Sequence, residues 1–147
     1  FEPLVEAAGQ GRYVIALLAD RDLSSSGVEA PLCGRAAHVA AGPAAVAERL
    51  GLPLYAATVH YERLTGARRR AAGGPWGVVI ALHRVPAPPG LTGREAVAER
   101  TRAWVERIGP ELAAHAVDWH MLQAVFDDDL DPERLARSRA REREGRA

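Results

Sequence analysis

Two aspartates and an arginine stand together at Asp20-Arg21-Asp22, after an apolar run at residues 13–19 and before Ser24-Ser25-Ser26-Gly27. In open α/β sheets, ligands bind beyond the carboxyl ends of the strands. A carboxylate there can orient a histidine or bind a cation, and Arg21 can meet a phosphate with its planar fork. The plainer reading is a loop in which Asp20 or Asp22 caps backbone N–H groups and Arg21 pairs with one of them. The serines lack a Gly-x-Ser-x-Gly elbow and read as turn residues. Asp20 and Asp22 around a metal would make a small phosphate-handling hydrolase, a more distant reading that metal dependence would separate from the others.

The histidines are His38, His60, His83, His115 and His120. No His-Glu-x-x-His and no cysteine pair accompanies them, so zinc is not indicated. His60 and His83 end adjacent predicted strands and can approach each other. His120 reads as a packed histidine bonded to backbone. Cys33 has Arg35 and His38 nearby in sequence, but a small buried hydrophobe is the simpler role. Arg68-Arg69-Arg70 forms a basic turn. Residues 132–147 hold six arginines against three glutamates. Such segments can lie on anionic lipid at ~1 kcal/mol per basic residue, or be a solvated loop and a frayed tail.

The elements that must position these residues follow from periodicity. Residues 1–9 read as the end of a helix with Phe1, Leu4, Val5 and Ala8 on one face. Residues 13–19 read as a strand buried on both faces, as in a parallel sheet. Residues 28–32 suit a short extended piece. Gly42-Pro43 opens a helix that Gly51 ends. Residues 54–60 and 76–82 read as strands around a polar, glycine-rich turn. Thr92 and Glu95 make a capping box, and residues 93–108 an amphipathic helix that Gly109-Pro110 interrupts. The expected fold is α/β, a mixed, mostly parallel sheet flanked by helices. Residues 1–130 form one unit, part of a domain, and residues 131–147 a charged tail.

With 147 residues, nearly half of them hydrophobic, the chain can bury a core. A net charge of zero argues against general nucleic-acid binding. No run of 18 apolar residues suggests a membrane span, and no signal-peptide pattern stands at the start. The single cysteine suits a reducing compartment. All 19 basic residues are arginine, a coding bias with little functional weight. The chain opens on Phe1 in what reads as the end of a helix, which suggests the C-terminal part of a longer protein.

Three stretches, ADRDLSSSGVE, AAGPAAVAERLGLPL and DWHMLQAVFDDDL, occur in that order. Together they resemble the C-terminal half of the lysophospholipid-acyltransferase-like family that includes the bacterial lipid A acyltransferases. The nearest resemblance is to its actinobacterial branch, the phosphatidylinositol mannoside acyltransferases, and it covers about residues 1–130. It implies acyl-CoA-dependent transfer of a fatty acyl chain to a mannose hydroxyl of a phosphatidylinositol mannoside. The implied place is the cytoplasmic face of the plasma membrane, peripherally bound. Acyl-CoA is a co-substrate there, with no other cofactor.

The resemblance also implies roles. A histidine in a His-x4-Asp/Glu motif is the base, and Asp20 matches the acidic catalytic position that partners it. Arg21 and Asp22 match the remainder of that turn, as substrate-binding candidates. Five residues beyond each histidine stand Pro43, Thr65, Pro88, His120 and Val125, so the chain contains no His-x4-Asp/Glu. In the family that motif lies upstream, so this fragment alone is expected to be inactive. PLCGRAAHVAAGPAA departs from the family's aromatic-and-proline stretch, which puts an altered acyl groove in prospect. The alternatives are a non-catalytic lipid- or acyl-CoA-binding module of the same fold, and a lipid A-type acyltransferase.

Overall fold

A computed structural model describes residues 1–11, 13–22, 24, 26–133, 136, 137 and 140. Helix α1 (Glu2–Gly9) has Pro3 in its first turn, where a missing N–H costs nothing, and buries Val5 and Ala8. Strands β1 (Val28–Leu32) and β2 (Arg35–Val39) pair antiparallel with Leu32 opposite Arg35. The two-residue turn between them, Cys33-Gly34, has φ of 52° and 81°. Such left-handed pairs match the right-handed twist of the flanking strands. Ala30 and Leu32 on β1 and Ala37 and Val39 on β2 alternate inward and are 0–2% exposed.

Helix α2 (Gly42–Leu50) has Pro43 in its first turn and ends in a Schellman motif. Gly51 turns left-handed at φ 64°, while its own N–H and that of Leu52 return to Glu48 and Ala47 carbonyls. Strands β3 (Leu54–Arg63) and β4 (Trp76–Val85) form a second antiparallel pair, from Leu54 opposite Val85 to Arg63 opposite Trp76. Helix α3 (Gly66–Ala72) closes that hairpin, and the Leu64 N–H donates to Pro75 O at its neck. Helix α4 (Gly93–Ala114) lies against β1, β3, β4 and α2. Its buried positions Ala96, Arg100, Thr101, Trp104, Val105 and Ile108 recur at helical spacing. Trp104, Val105 and Ile108, with Ala56, Val85 and Val125, complete the core.

The class is α/β, but the sheets are not parallel: both described sheets are antiparallel hairpins. A parallel pair needs a long crossover, whereas both connections here turn straight back. Residues 13–19 form no strand. Val14 is 99% and Leu18 97% exposed, and no described strand pairs with them. The expected turn at 66–75 contains α3, and sequence reading passed over β2.

Gly109-Pro110 does not end α4, which continues to Ala114. A proline inside a helix costs about 3 kcal/mol. Here Ile108 and Leu112 pack on the core from either side of it, and Glu111 bonds His83, which holds the last turn in place. Thr92 does stand at the N-cap of α4, but its side chain makes no capping bond, so the capping box is not formed. Among the described residues no helix is long and apolar enough to cross a membrane. Most of the charged tail lies outside the described residues.

Candidate active site

Residues 19–22 run along β2. The Ala40 N–H donates to Ala19 O at 2.9 Å, and the Asp22 N–H donates to His38 O at 2.8 Å. The backbone of the Asp20-Arg21-Asp22 turn is therefore fixed at both ends. Asp22 Oδ1 accepts the Ser24 N–H at 2.7 Å, the local turn that a short carboxylate favours. Ser24 and Ser26 hydroxyls bond each other at 2.7 Å, as turn residues do. Gly27 must be small, since a Cβ there would stand 2.9 Å from Asp22 O.

The two side chains that do not serve this turn reach across the sequence. Asp20 Oδ2 accepts the indole Nε1–H of Trp119 at 3.1 Å. Arg21 Nε donates to Ala124 O at 2.8 Å and Nη1 to Gln123 Oε1 at 2.6 Å. The ADRD turn and the DWHMLQ segment, about a hundred residues apart, thus form one structure. Arg21 spends two donors as a clamp on residues 123 and 124. Asp20, half-buried, keeps Oδ1 without a hydrogen bond among the described residues.

The same C-terminal segment is tied to β2. Phe126 bridges Ala37, and His38 Nδ1 lies 2.9 Å from Asp127 Oδ1. Arg35 pairs with Asp129 at 2.9 Å and stacks 4.2 Å from the Phe126 ring centroid. The Asp129 hydrogen bond keeps the Arg35 guanidinium charged more firmly than usual. His120, expected to be packed, is exposed: its neighbour Trp119 takes the inward position.

A second polar cluster lies where β3 and β4 meet the end of α4. Glu111 accepts from His83 Nε2 at 2.7 Å, and His60 Nδ1 stands 3.5 Å from its other oxygen. The His60 and His115 rings stack at 3.6 Å. The Thr58 hydroxyl first, then His83, holds the Glu111 carboxyl below the usual carboxylate range against the opposing effect of burial. His60 and His83 do come to one place, joined through Glu111 rather than directly. Among the described residues no group of three or more His, Cys, Asp or Glu side chains is placed to hold a metal ion.

Cys33 sits in the β1–β2 turn with its Sγ 3.6 Å from Gly109 O, and burial pushes its thiol pKa up, away from nucleophilic use. An open groove of about 630 Å³ beside it is lined by Pro31, Cys33, Arg102, Val105 and Pro110, and includes neither Asp20 nor Trp119.

Sequence reading named Asp20, Arg21 and Asp22 but not their partners Trp119 and Gln123, nor the need for Gly27. The signal available for the partners was the density of hydrogen-bonding side chains in DWHMLQ, a stretch too polar for a core helix.

The site and chain order define a class. Residues 1–127 match the family model described as bacterial lipid A biosynthesis acyltransferase, and the chain belongs to that family. Among its relatives, a phosphatidylinositol mannoside acyltransferase of Mycobacterium tuberculosis is 34% identical over 141 residues, 96% of this chain and 39% of the relative. Its namesake in Mycolicibacterium smegmatis is 34% identical over 137 residues, covering 93% and 40%. The chain spans about two fifths of the length of these relatives.

Proposed function

We propose that this chain is the C-terminal part of an acyl-CoA-dependent acyltransferase whose acceptor is a mannose hydroxyl of a phosphatidylinositol mannoside. The names of the two mycobacterial relatives support the acceptor class. The observation that carries the site is the half-buried Asp20 carboxylate, whose Oδ2 accepts the Trp119 indole N–H and whose Oδ1 has no hydrogen bond among the described residues. In this reading a histidine base, supplied outside this chain, donates its second ring N–H to Asp20 Oδ1. The base removes the acceptor hydroxyl proton as that oxygen attacks the thioester carbonyl. Collapse of the tetrahedral intermediate breaks the C–S bond, and the imidazolium returns the proton to the CoA sulfur. A carboxylate behind the imidazole fixes its tautomer and stabilises its charged form.

Arg21 and Asp22 shape the turn. Nη2 of Arg21 makes no hydrogen bond among the described residues and is the donor proposed to face the acceptor phosphate. The arginines of α3 and of residues 132–147 are proposed to favour the anionic cytoplasmic leaflet. Asp20→Ala in the full-length protein tests the reading: acyl transfer should collapse while the protein still folds, with a melting temperature lowered by only a few degrees through loss of the Trp119 bond. Near-wild-type activity would remove Asp20 from the mechanism.

A further inference from the structure

We infer that Trp119 is a positioning residue for this reaction, whose indole N–H sets the direction in which Asp20 presents its other oxygen. The inference rests on the role proposed for Asp20. A carboxylate on a rotating Cβ–Cγ bond can present either oxygen, and an imidazole N–H needs one of them held along its axis. The Trp119 Nε1–H takes Oδ2 at 3.1 Å. With Oδ2 engaged, Oδ1 is the oxygen left for a partner.

An indole suits this task. It is a donor only, it does not change protonation near neutral pH, and its two χ angles are set by packing. Trp119 is partly buried against the core, and its own backbone is tied locally. Its N–H donates to Ala116 O at 3.2 Å, and its carbonyl accepts the Met121 N–H at 2.8 Å. On the far side of the segment, Arg21 grips Ala124 and Gln123. The donor is therefore fixed relative to the turn that carries Asp20. Neighbouring His120 is exposed.

The test is a double-mutant cycle in the full-length acyltransferase with Asp20→Ala and Trp119→Phe. Phenylalanine keeps an aromatic ring at the position but removes the donor. Trp119→Phe should lower kcat about tenfold, the loss of one hydrogen bond to a charged acceptor, with KM within about twofold. In the Asp20→Ala background, Trp119→Phe should add nothing, because its only route to the reaction is gone. Wild-type kcat in Trp119→Phe, or the same tenfold loss in both backgrounds, overturns the inference, the second outcome marking a merely structural tryptophan. A full-activity Asp20→Ala instead overturns the reading of Asp20 on which the inference rests.

One further readout needs no activity. The Trp119 indole N–H resonance should move in Asp20→Ala while those of Trp76 and Trp104 stay. An unmoved resonance contradicts the hydrogen bond itself.

Discussion

Glu111 is the group whose removal the structure weighs most directly. Its carboxylate, 23% exposed, accepts from His83 at 2.7 Å and faces His60 at 3.5 Å, joining the last turn of α4 to both strands of the second hairpin. Glu111→Gln keeps the shape and one acceptor oxygen but removes the charge. Hydrogen bonds to a charged group contribute about 1.5–3 kcal/mol, and partial exposure places this one near the lower end, about 1.5–2 kcal/mol. For a chain of this size each kcal/mol moves the midpoint about 2–4 °C, so Tm at pH 7 should fall by about 3–8 °C.

The pH dependence has a definite sign. The folded carboxyl is held below its ordinary value of 4.5, so its contribution is fully present above that value and is lost as pH falls through the lower folded one. Thermal melts of both proteins, followed by tryptophan fluorescence, should show the wild-type advantage at pH 7 closing as the pH falls below 4.5. An advantage unchanged at the acid end, or none at pH 7, would refute the assignment of this stability to the ionised Glu111.

Gly27→Ala places a Cβ 2.9 Å from Asp22 O, a backbone atom, so it should destabilise the chain by about 1–3 kcal/mol in urea titrations. Gly77→Ala meets the end of the Leu64 side chain at the same 2.9 Å and should be the milder change, because a side-chain methyl can rotate aside. Equal losses would contradict the distinction. Cys33, with its thiol pKa raised by burial, should alkylate with iodoacetamide at pH 7.5 more slowly than N-acetylcysteine; an equal or faster rate would show an activated thiol. Removing residues 132–147 from the full-length protein should weaken binding to anionic vesicles and leave turnover of a soluble acceptor intact. Unchanged partitioning would remove the tail from membrane attachment.

What was legible in the sequence was local. Gly51 as a helix end, Pro43 in a first turn and the two strands of the second hairpin each depend on a few neighbouring residues, and each is where the sequence placed it. Proline in α4 misled because its local cost is known while the packing of Leu112 and the Glu111–His83 bond are long-range. Residues 13–19 misled for the opposite reason. Their side chains satisfy every rule for a buried strand, but a strand is made by hydrogen bonds to a neighbour, and the described residues supply those only at Ala19 and Asp22. The outer face of β3 and β4, where Val59, Val78, Ile80 and Leu82 are 56–67% exposed, shows the same mismatch between pattern and burial.

The site divides along the same line. Asp22 bonding Ser24 is a two-residue event, and a turn of that composition announces it. The contact that gives Asp20 its direction spans 99 positions, and no periodicity encodes it. ADRD therefore reads as a possible site from sequence alone, but its orientation becomes visible only when DWHMLQ is folded against it. The two sides of that contact are unequal in their tolerance. Asp22 and Ser24 meet through a local contact that other short polar residues can also make. Replacing Trp119 by phenylalanine removes the donor that engages one of the two oxygens of Asp20. A site held in this way should lose activity to substitutions in the C-terminal segment that leave the ADRD turn itself intact.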